Sequence, residues 1–570
     1  MVIFAGMKGN NCGIYLLSFC MMVLVSVSAY AQPGWTVRWE GNAYLNGSTA
    51  GYLPFWQRTG HDGILPYTSA AVLTAGADLK YNADNGIYFD AGANLAAQAM
   101  TASSWNPGGV NGIVDRLYVS AGWKMLHLDV GMKPRERELG ALSLTGGNIL
   151  FTGNARNMPG LNAWSDWIWF EKGHWFGIRG KFAHYQMNDP RYISGAMIHN
   201  KSFAFKVALG RKVDFEAGLD HWVQWGGVSP TDGMRPSSFQ DYVKVILAKR
   251  GGGDATLSDQ LNALGNHLGR EYVRLTWRAT AFDMVFQYDL PFEDGGQIIK
   301  LEPFPDGVYT LRFSFKEKQR FVNEILYEFA NTTWQSGPVH DRPATEEEMS
   351  KDYGKYVYWQ DPDHHYYGRI VPGGKDDYFN NSEYRSGWTY YGRAMCLPLM
   401  IPFAPGEDGI THGIVSNRVR AHHIGLKGLA WQVPYSFKAT YSSNWGRYFG
   451  GDQGIFASRP KQLSLALEVE LSEQVTNLPV AFMVGAYGDF GKVYKNSAGL
   501  SLRVIYGGSH SLRRWNSFLI ISSSARLGRV TFKPGVRSIS RLMAFIAPSL
   551  RAQLRRAIPL FTSHRSISLI

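Results

Sequence analysis

The stretch on which the fold prediction depends is DVGMKPRERELGALSLTGGNILFTGNARNMPGLNAWSDWIW, residues 129–169. It begins as the end of a strand and continues through a loop rich in glycine, asparagine and charge. It ends in tryptophans that alternate with other residues. The backbone polar groups of such a loop must contact water or be hydrogen-bonded by other loops. The stretch therefore predicts a polar segment that connects two strands.

The N-terminus has the pattern of a cleaved secretory signal peptide, predicted over residues 1–31. Lys8 supplies the positive charge, residues 14–27 form the apolar core, and residues 29–31 form a small-x-small cleavage site. Cys396 is the one cysteine left after cleavage, so no intrachain disulfide is possible, and we expect it to be buried as a small apolar residue.

Composition restricts the class of the mature chain. No later segment has about 18 uninterrupted apolar residues, so we expect a secreted, periplasmic or β-barrel protein. The aromatic content of 14% and the 63 glycines are typical of transmembrane strands. Of the 58 basic residues, eleven lie in residues 508–570, which contain no acidic residue. The remaining 47 are nearly balanced by the 46 acidic residues of the chain. The basic pI therefore gives no support to nucleic-acid binding.

Alternation of apolar and polar residues with a period of two predicts the strands. It is clearest over residues 87–98, 272–279, 308–316 and 462–471. A soluble β-sandwich also alternates. Runs of about 9–11 residues, however, are long enough to cross a bilayer when tilted. We predict an all-β fold, a transmembrane antiparallel β-barrel of about 16–18 strands with few short helices in its loops or lumen. Four charged side chains in the middle of strands should point into its lumen: Arg274, Arg278, Arg312 and Lys316.

Other segments give further expectations. Residues 254–265 predict a short helix, and residues 333–384 predict a long loop that faces outward or folds inward. Residues 500–506 predict the last strand. The predicted domains are thus the signal peptide, a barrel over residues 32–507 and an anomalous basic tail over residues 508–570. Two explanations of that tail remain open, a shifted or fused reading frame and a genuine appendage.

The sequence lacks the common catalytic and metal-binding motifs. There is no Gly-x-Ser-x-Gly, no His-Glu-x-x-His and no cysteine pair. The adjacent histidines 364–365 and 422–423 would point to opposite faces of a strand and would not chelate one metal. Glu293 and Asp294 predict a solvated turn more readily than an acid/base pair. We therefore expect no enzymatic activity, no metal and no cofactor, and a barrel hydrolase lacks any identifiable nucleophile and base.

Mixed polar and aromatic segments indicate a binding function instead. They include NTTWQSG at residues 331–337, DYFNNSEYRSGWTYYG at residues 377–392 and NR at residues 417–418. Aromatic faces stack on sugar rings while amides and guanidinium groups bond hydroxyl and carboxylate groups. Aromatic side chains at strand ends also form the girdles of membrane barrels, which is the alternative interpretation.

A series of short motifs, in order from about residue 38 to about residue 507, resembles the Wzi-type capsule assembly proteins. The series includes PFW at residues 54–56, GNAR at residues 153–156, TWQSG at residues 333–337, YFNN at residues 378–381 and YSSNWG at residues 441–446. The resemblance implies an outer-membrane barrel, exported through a cleaved signal peptide. It further implies that the barrel acts as a lectin and helps to attach or assemble capsular polysaccharide at the cell surface.

The motif residues supply the candidate glycan contacts. They are Asn154, Arg156, Trp334, Gln335, Tyr378, Asn380, Asn381, Trp388 and Arg418. The expected partners are capsular or other surface polysaccharide and outer-membrane lipid, with no nucleic acid. The alternative function is an outer-membrane porin or solute channel, because an alternating barrel without a filled lumen conducts.

Overall fold

A computed structural model describes residues 35–170, 173–256, 259–260, 263–293, 301–318, 320–338, 342–343, 357–360, 367–371, 375–448 and 454–511. The predicted signal peptide and all but the first four residues of the predicted tail lie outside these described residues. So do histidines 364–365 and Asp294.

The described residues form one closed antiparallel barrel of eighteen strands. The strands are Trp35–Ser48 (β1), Ala70–Asn82 (β2), Ile87–Met100 (β3), Gly109–Trp123 (β4), Leu126–Met132 (β5), Gly160–Ser165 with Ile168–Phe170 (β6), Phe176–Gln186 (β7), Met197–Leu209 (β8), Val213–Trp225 (β9), Asn266–Arg278 (β10), Phe282–Phe292 (β11), Gly307–Phe315 (β12), Glu324–Asn331 (β13), Arg418–Ala430 (β14), Val433–Gly446 (β15), Lys461–Leu471 (β16), Ala481–Gly491 (β17) and Ser497–Ser511 (β18). Each strand pairs with the next, and β18 pairs with β1 from Thr36↔Ser511 to Ser48↔Gly499. The predicted fold class is confirmed.

Side-chain alternation in these strands places apolar residues outside the barrel and polar residues inside it. In β3, Phe89 is 45% exposed on the outer face, whereas Asp90 and Gln98 are buried on the inner face. The same alternation holds in β16, where Gln462 and Ser464 are buried. This is the distribution expected of a barrel whose outer face contacts acyl chains and whose interior is polar.

Charged side chains inside the barrel are paired with one another. Arg312 of β12 lies 2.9 Å from Glu324 of β13, and Arg274 of β10 pairs with Glu138, so two of the four predicted lumen charges are confirmed. The other two predicted lumen charges, Arg278 and Lys316, lie at one end of the barrel and stay partly exposed. There Arg278 pairs with Asp214 at 2.5 Å and Lys316 with Asp283 at 2.6 Å.

The two ends of the barrel have connections of very different length. Residues 210–212, 279–281 and 431–432 are short turns at the end that also carries Trp35 and Ser511, and we call it the short-turn end. The opposite, long-loop end carries residues 49–69, 133–159, 226–265 and 332–417. Outer-membrane barrels commonly place short turns on the periplasmic side and long loops outside.

Helices are few among the described residues, and the predicted helix is observed only in part. The longest helix, Phe239–Ile246, begins with a capping box in which Ser238 and Asp241 bond each other's backbone N–H groups. The prediction over residues 254–265 is confirmed in part: residues 259–260 are helical, the Gln260 N–H donates to the Thr256 carbonyl at 2.9 Å, and Thr256 Oγ1 accepts from the Asp259 N–H at 3.3 Å, as expected of the predicted cap. The helix ends before Ala263, because Ala263 forms a β-bridge with Arg250. No helix within the described ranges is both long and apolar enough to cross a bilayer.

The last strand is longer than predicted. β18 continues through Ser511, and its final residues pair with the start of β1, with His510 opposite Val37. The first four residues of the predicted tail therefore belong to the barrel, because the closing hydrogen bonds of β1 need a partner along this length.

Candidate functional site

Three connections at the long-loop end fold into the barrel and fill much of its interior. They are residues 49–69, 133–159 and 375–417, which we call the plug. Its apolar side chains form one buried cluster with inward-facing residues of the wall such as Trp222 and Leu268. Cys396 lies fully buried in this cluster, as predicted. An aromatic-rich connection can enter a barrel because its apolar surface is removed from water there.

Polar bonds fix the plug to strands around the whole barrel. The Phe55 N–H donates to Asp489 of β17 at 2.9 Å, and Trp56 Nε1 donates to Thr440 of β15 at 3.0 Å. The Ile149 N–H donates to Asp289 of β11 at 2.9 Å. On the opposite side Asn157 Nδ2 donates to the Asp115 carbonyl of β4 at 3.1 Å, and β4 lies nine strands from β13, whose Glu328 accepts from Ser143 at 2.6 Å, so the plug is held across the lumen.

The plug residue Glu138 carries a strongly stabilised negative charge. Burial by itself raises the pKa of this carboxyl, but the guanidinium groups of Arg274 and Arg179 lower the pKa to about 2. Arg179 Nη1 lies 2.9 Å from Glu138 Oε1. The interior charges of this region are therefore satisfied by one another.

A cavity of about 300 Å³ opens at the long-loop end, and we call it the mouth cavity. Its lining comes entirely from connections between strands: Tyr52, Arg58, Tyr67, Trp105, Asn154, Pro398, Met400, Ile401, Pro402, Phe403, Ala404, Val415, Ile455, Phe456, Val493 and Tyr494. Six different connections contribute to it. Half-buried aromatic side chains beside a few polar groups are the usual composition of a small-molecule or sugar site.

Arg58 is the charged centre of the mouth cavity. Its guanidinium carbon lies 4.8 Å from the ring centre of Tyr67 and 5.1 Å from that of Tyr494, and its Nε donates to the Leu53 carbonyl at 3.2 Å. Tyr67 in turn stacks on Trp105 at 4.6 Å. Within the described part of the chain no carboxylate forms an ion pair with Arg58. Stacking thus orients its guanidinium group, while Asp489 of β17 interacts with it electrostatically without forming an ion pair.

A second cavity, of about 290 Å³, lies deeper, beside Tyr44 of β1. Of its two arginines, Arg137 lies 2.7 Å from Asp62, and Arg135 donates to the Arg156 carbonyl at 2.7 Å and stacks on Phe151. Burial lowers the pKa of the lining His61 to about 4, so this imidazole is neutral at pH 7. This cavity differs from the mouth cavity in holding an acid, Asp62, that already pairs with one of its arginines.

Five of the nine predicted contacts lie in one hydrogen-bonded region near the rim: Trp334, Gln335, Tyr378, Asn380 and Arg418. Arg418 stacks on Tyr448 at 3.6 Å and donates to the Thr333 carbonyl at 3.2 Å. Trp334 is exposed, whereas Gln335 and Tyr378 are fully buried. Asn380 and Arg418 are half-buried.

Asp306 organises this rim region. Its carboxylate accepts hydrogen bonds from the Trp334 N–H at 3.0 Å, the Gln335 N–H at 2.7 Å and Asn331 Nδ2 at 2.8 Å. Burial raises the pKa of Asp306 to about 7, against the opposing effect of these hydrogen bonds. The carboxyl is therefore partly protonated at neutral pH.

The other four predicted contacts lie in the plug but outside this rim region. Asn154 donates to the Ala394 carbonyl at 2.9 Å and also lines the mouth cavity. Trp388 is fully buried and donates to the Leu150 carbonyl at 2.6 Å. Arg156 stacks on Tyr391 at 4.1 Å, and Asn381 donates to Asn266 at 3.1 Å.

Burial of Gln335, Tyr378 and Trp388 gives these three predicted contacts a packing role in this structure. Their glycan-binding role remains a prediction. Among the predicted contacts, the most accessible aromatic is Trp334.

The sequence did not identify the main residues of the mouth cavity. Tyr52 and Arg58 flank the PFW motif, whose Phe55 and Trp56 are buried, and this flanking position was the available signal. Trp105 and Tyr494 carried no such signal, since they reach the cavity only when the barrel closes.

The other sites considered in the sequence have structural roles. His423 points inward and contacts the Leu142 carbonyl at 2.8 Å, whereas His422 contacts Tyr327 on the outer face, so the expected divergence of this pair is confirmed. Glu293 accepts a hydrogen bond from the Phe379 N–H at 2.7 Å. Within the described ranges no group of three or more His, Cys, Asp or Glu could hold a metal.

Comparison with known proteins finds similar barrels among solved structures. Wzi of Escherichia coli, described as a carbohydrate-binding β-barrel involved in group 1 capsule assembly, is 12% identical, with a TM-score of 0.46 over 88% of this chain and 89% of that chain. OccAB4 of Acinetobacter baumannii is 10% identical, with a TM-score of 0.40 over 85% and 100%. OprD of Pseudomonas aeruginosa is 9% identical, with a TM-score of 0.40 over 85% and 98%.

No family model and no curated protein sequence matches the chain. At the identities and TM-scores found, the likeness to solved structures assigns neither a family nor a function.

Proposed function

We propose that this protein is an outer-membrane β-barrel that binds acidic capsular or other surface polysaccharide at its mouth cavity and does not transform it. The barrel acts as an anchored lectin. Its wall fixes the protein in the bilayer, its plug supports the binding surface, and the long loops face the cell exterior.

The outer face of the wall supports the membrane location. Large apolar side chains are exposed around it, including Leu73, Phe89, Val119, Leu128 and Phe203. A water-soluble protein rarely exposes contiguous apolar surface of this extent, because burying it would be favourable. Closure of β18 on β1 also leaves no unpaired strand edge, which a structure within lipid requires.

The observation that carries the binding proposal is the position of Arg58 between two tyrosine rings, with no carboxylate of the described residues at ion-pair distance. A guanidinium fixed in this way can form two parallel hydrogen bonds with a uronic-acid carboxylate. The neighbouring Tyr67 and Trp105 offer aromatic surface for the apolar face of the sugar ring. The cavity volume of about 300 Å³ fits one or two sugar units, at the lower limit of known ligand pockets.

The plug favours a lectin over the alternative, a porin or solute channel. An open channel needs a continuous water-filled path, whereas the plug residues Asn157 and Ser143 bond opposite sides of the wall, at β4 and β13, through the interior. The proposed absence of catalysis rests on the chemistry of the cavity lining. That lining has no carboxylate pair and no nucleophile with an adjacent base.

Planar-bilayer recordings and polysaccharide binding together test this proposal. The purified barrel should give no steady channel currents and should bind purified acidic capsular polysaccharide. Stable ohmic currents without polysaccharide binding would establish the channel and overturn the lectin. Release of shortened polysaccharide during the incubation would overturn the non-catalytic part.

A matched pair of arginines makes the binding test specific. Arg385 also lies at the long-loop end, stacks on Tyr192 at 4.8 Å and donates through Nε to a loop carbonyl, that of Ser382, at 3.1 Å, but it lies outside the mouth cavity. Arg58→Ala should weaken polysaccharide binding and Arg385→Ala should not. Equal losses would contradict the assignment of the cavity.

A further inference from the structure

The helix Phe239–Ile246 lies on the outer face of the barrel and not in its interior. In β8, Ile198 and Lys206 point inward, since Ile198 joins the interior cluster and Lys206 lies 3.2 Å from Glu216. Because side chains alternate along a strand, His199, Lys201 and Phe203 point outward. The helix packs on this outward set.

Specific contacts hold the helix there. Tyr242 contacts His199 Nδ1 through its hydroxyl at 3.2 Å and stacks on Trp225 at 5.1 Å. Val245 is fully buried against Val223 and Trp225, and Lys201 donates to the Ile246 carbonyl. One face of the helix is therefore fully occupied by the wall.

The position of the helix marks a boundary on the outer face. Toward the short-turn end the wall is apolar, with Phe203 54% exposed and Phe182 also exposed. Toward the long-loop end histidines appear among the outward residues, beside Val223 and Trp225, which the helix covers, and His221 and His267 contact each other at 3.0 Å. A change from apolar to polar residues is expected where a membrane barrel leaves the hydrocarbon core.

The opposite face of the helix presents an apolar stripe. Phe239, Val243 and Leu247 are 79%, 38% and 54% exposed and recur at every fourth position, so they lie on one face. Two exposed cations, Lys249 and Arg250, follow the helix directly, and no described carboxylate pairs with either.

The acidic residues near the helix interact with Lys244 rather than with Lys249 or Arg250. Asp241 caps the helix and lies 2.9 Å from Lys244 Nζ, and Asp254 faces the same lysine. The two cations after the helix are thus left to act on a partner outside the chain.

We propose that this helix is an interfacial anchor that inserts its apolar stripe into the leaflet at the long-loop end. Lys249 and Arg250 then bind the phosphates of anionic lipid headgroups. Apolar residues beside a basic group are the pattern that binds an anionic lipid surface. The inference rests on the membrane location in the proposed function, but it does not depend on glycan binding.

Spin labels read by oxygen and nickel accessibility test the insertion in reconstituted, full-length protein lacking Cys396. A label at Val243→Cys should be more accessible to oxygen than to a nickel chelate, as should the lipid-facing control Phe203→Cys. The control Trp431→Cys, in a short turn and 95% exposed, should show the reverse. If Phe203 reports lipid and Val243 reports water, the anchor is overturned while the barrel placement stands. If Phe203 also reports water, both are overturned.

Lipid selectivity tests the headgroup contact independently of labelling. We expect purified barrel in mixed micelles to retain phosphatidylglycerol over phosphatidylcholine. Lys249→Ala and Arg250→Ala should each lower this preference by about fivefold, the factor that corresponds to about 1 kcal/mol per cation. Lys492→Ala and Lys495→Ala remove two exposed cations from another long-loop connection and should not change it. Equal effects of the two pairs, or no selectivity in the parent protein, would overturn the contact.

Discussion

Arg270 in the lumen and Arg58 in the mouth cavity are both stacked on tyrosine rings, but they differ in their acidic partners. Arg270 lies 2.8 Å from Asp220 and 3.0 Å from Asp289, and it donates to the Gly147 carbonyl at 2.8 Å. Arg58 donates to one carbonyl and has rings on both sides.

The difference shows which charges hold the fold and which are available to a ligand. A charge far from water must be paired, because leaving it alone costs several kcal/mol. Arg270 thereby ties the plug residue Gly147 to two strands of the wall. Arg58 lies beside an opening, where water or a sugar carboxylate can satisfy it.

The largest expected effect is the loss of a lumen carboxylate. Asp289→Ala leaves Arg270 with one carboxylate and the Ile149 N–H without its acceptor, so we expect the free energy of unfolding to fall by about 3–5 kcal/mol. Urea unfolding in detergent measures it. Asp283→Ala on the same strand removes a partly exposed partner of Lys316 and should cost less than about 1 kcal/mol. Similar losses for the two variants would contradict the role given to the lumen pair.

Asp306 extends the comparison to a buried acid without an ion-pair partner among the described residues. Because its pKa is raised from 3.8 to about 7, its protonated form stabilises the fold fully below pH 3.8. That contribution, on the order of 4 kcal/mol at most, is lost as pH rises toward 7. Asp306→Asn should remove this part of the pH dependence of urea unfolding. An unchanged pH profile in Asp306→Asn would show that other groups cause it.

The expected effect of Arg58→Ala is on binding rather than on folding. Loss of charge-assisted hydrogen bonds should lower affinity for acidic polysaccharide by about 1.5–3 kcal/mol, measured by titration calorimetry. Arg58→Lys should recover part of it, because an ammonium keeps the charge but not the planar fork. Unfolding in urea should change by less than the binding does. A greater loss of stability than of affinity would make Arg58 a structural residue.

The smallest expected effect separates the mouth cavity from the rim region. Trp105→Ala should weaken polysaccharide binding by about 0.5–1.5 kcal/mol through the lost aromatic surface. Trp334→Ala, at the exposed aromatic predicted from sequence motifs, should leave the affinity unchanged. If Trp334→Ala has the larger effect, the rim region and not the mouth cavity is the binding site.

The strands could be predicted from the sequence because their signal is local. Alternation over residues 87–98 and 462–471 survives in β3 and β16, and it also gives the correct inward face. The mouth cavity could not be predicted, because Tyr52 and Tyr494 are brought together by barrel closure and not by spacing.

The roles of aromatic residues in the candidate site could not be predicted from the sequence either. The motif around Trp388 is equally compatible with a buried side chain and with one that binds a sugar. Its complete burial in the plug depends on the fold of the whole barrel, which the local sequence does not specify. The helix Phe239–Ile246 was missed even though its Ser238 and Asp241 carry a capping box, since its apolar residues lie on two faces.

The most direct test of carboxylate binding at the mouth cavity is a titration of purified acidic capsular polysaccharide into the reconstituted barrel. The titration is repeated with the same polysaccharide after its carboxyl groups have been chemically reduced. We expect saturable binding of the native polysaccharide and a loss of most of that affinity after reduction, whereas Arg58→Ala should bind both forms equally weakly. Equal binding of both polysaccharides by the parent protein, or no binding of either, would contradict this expectation.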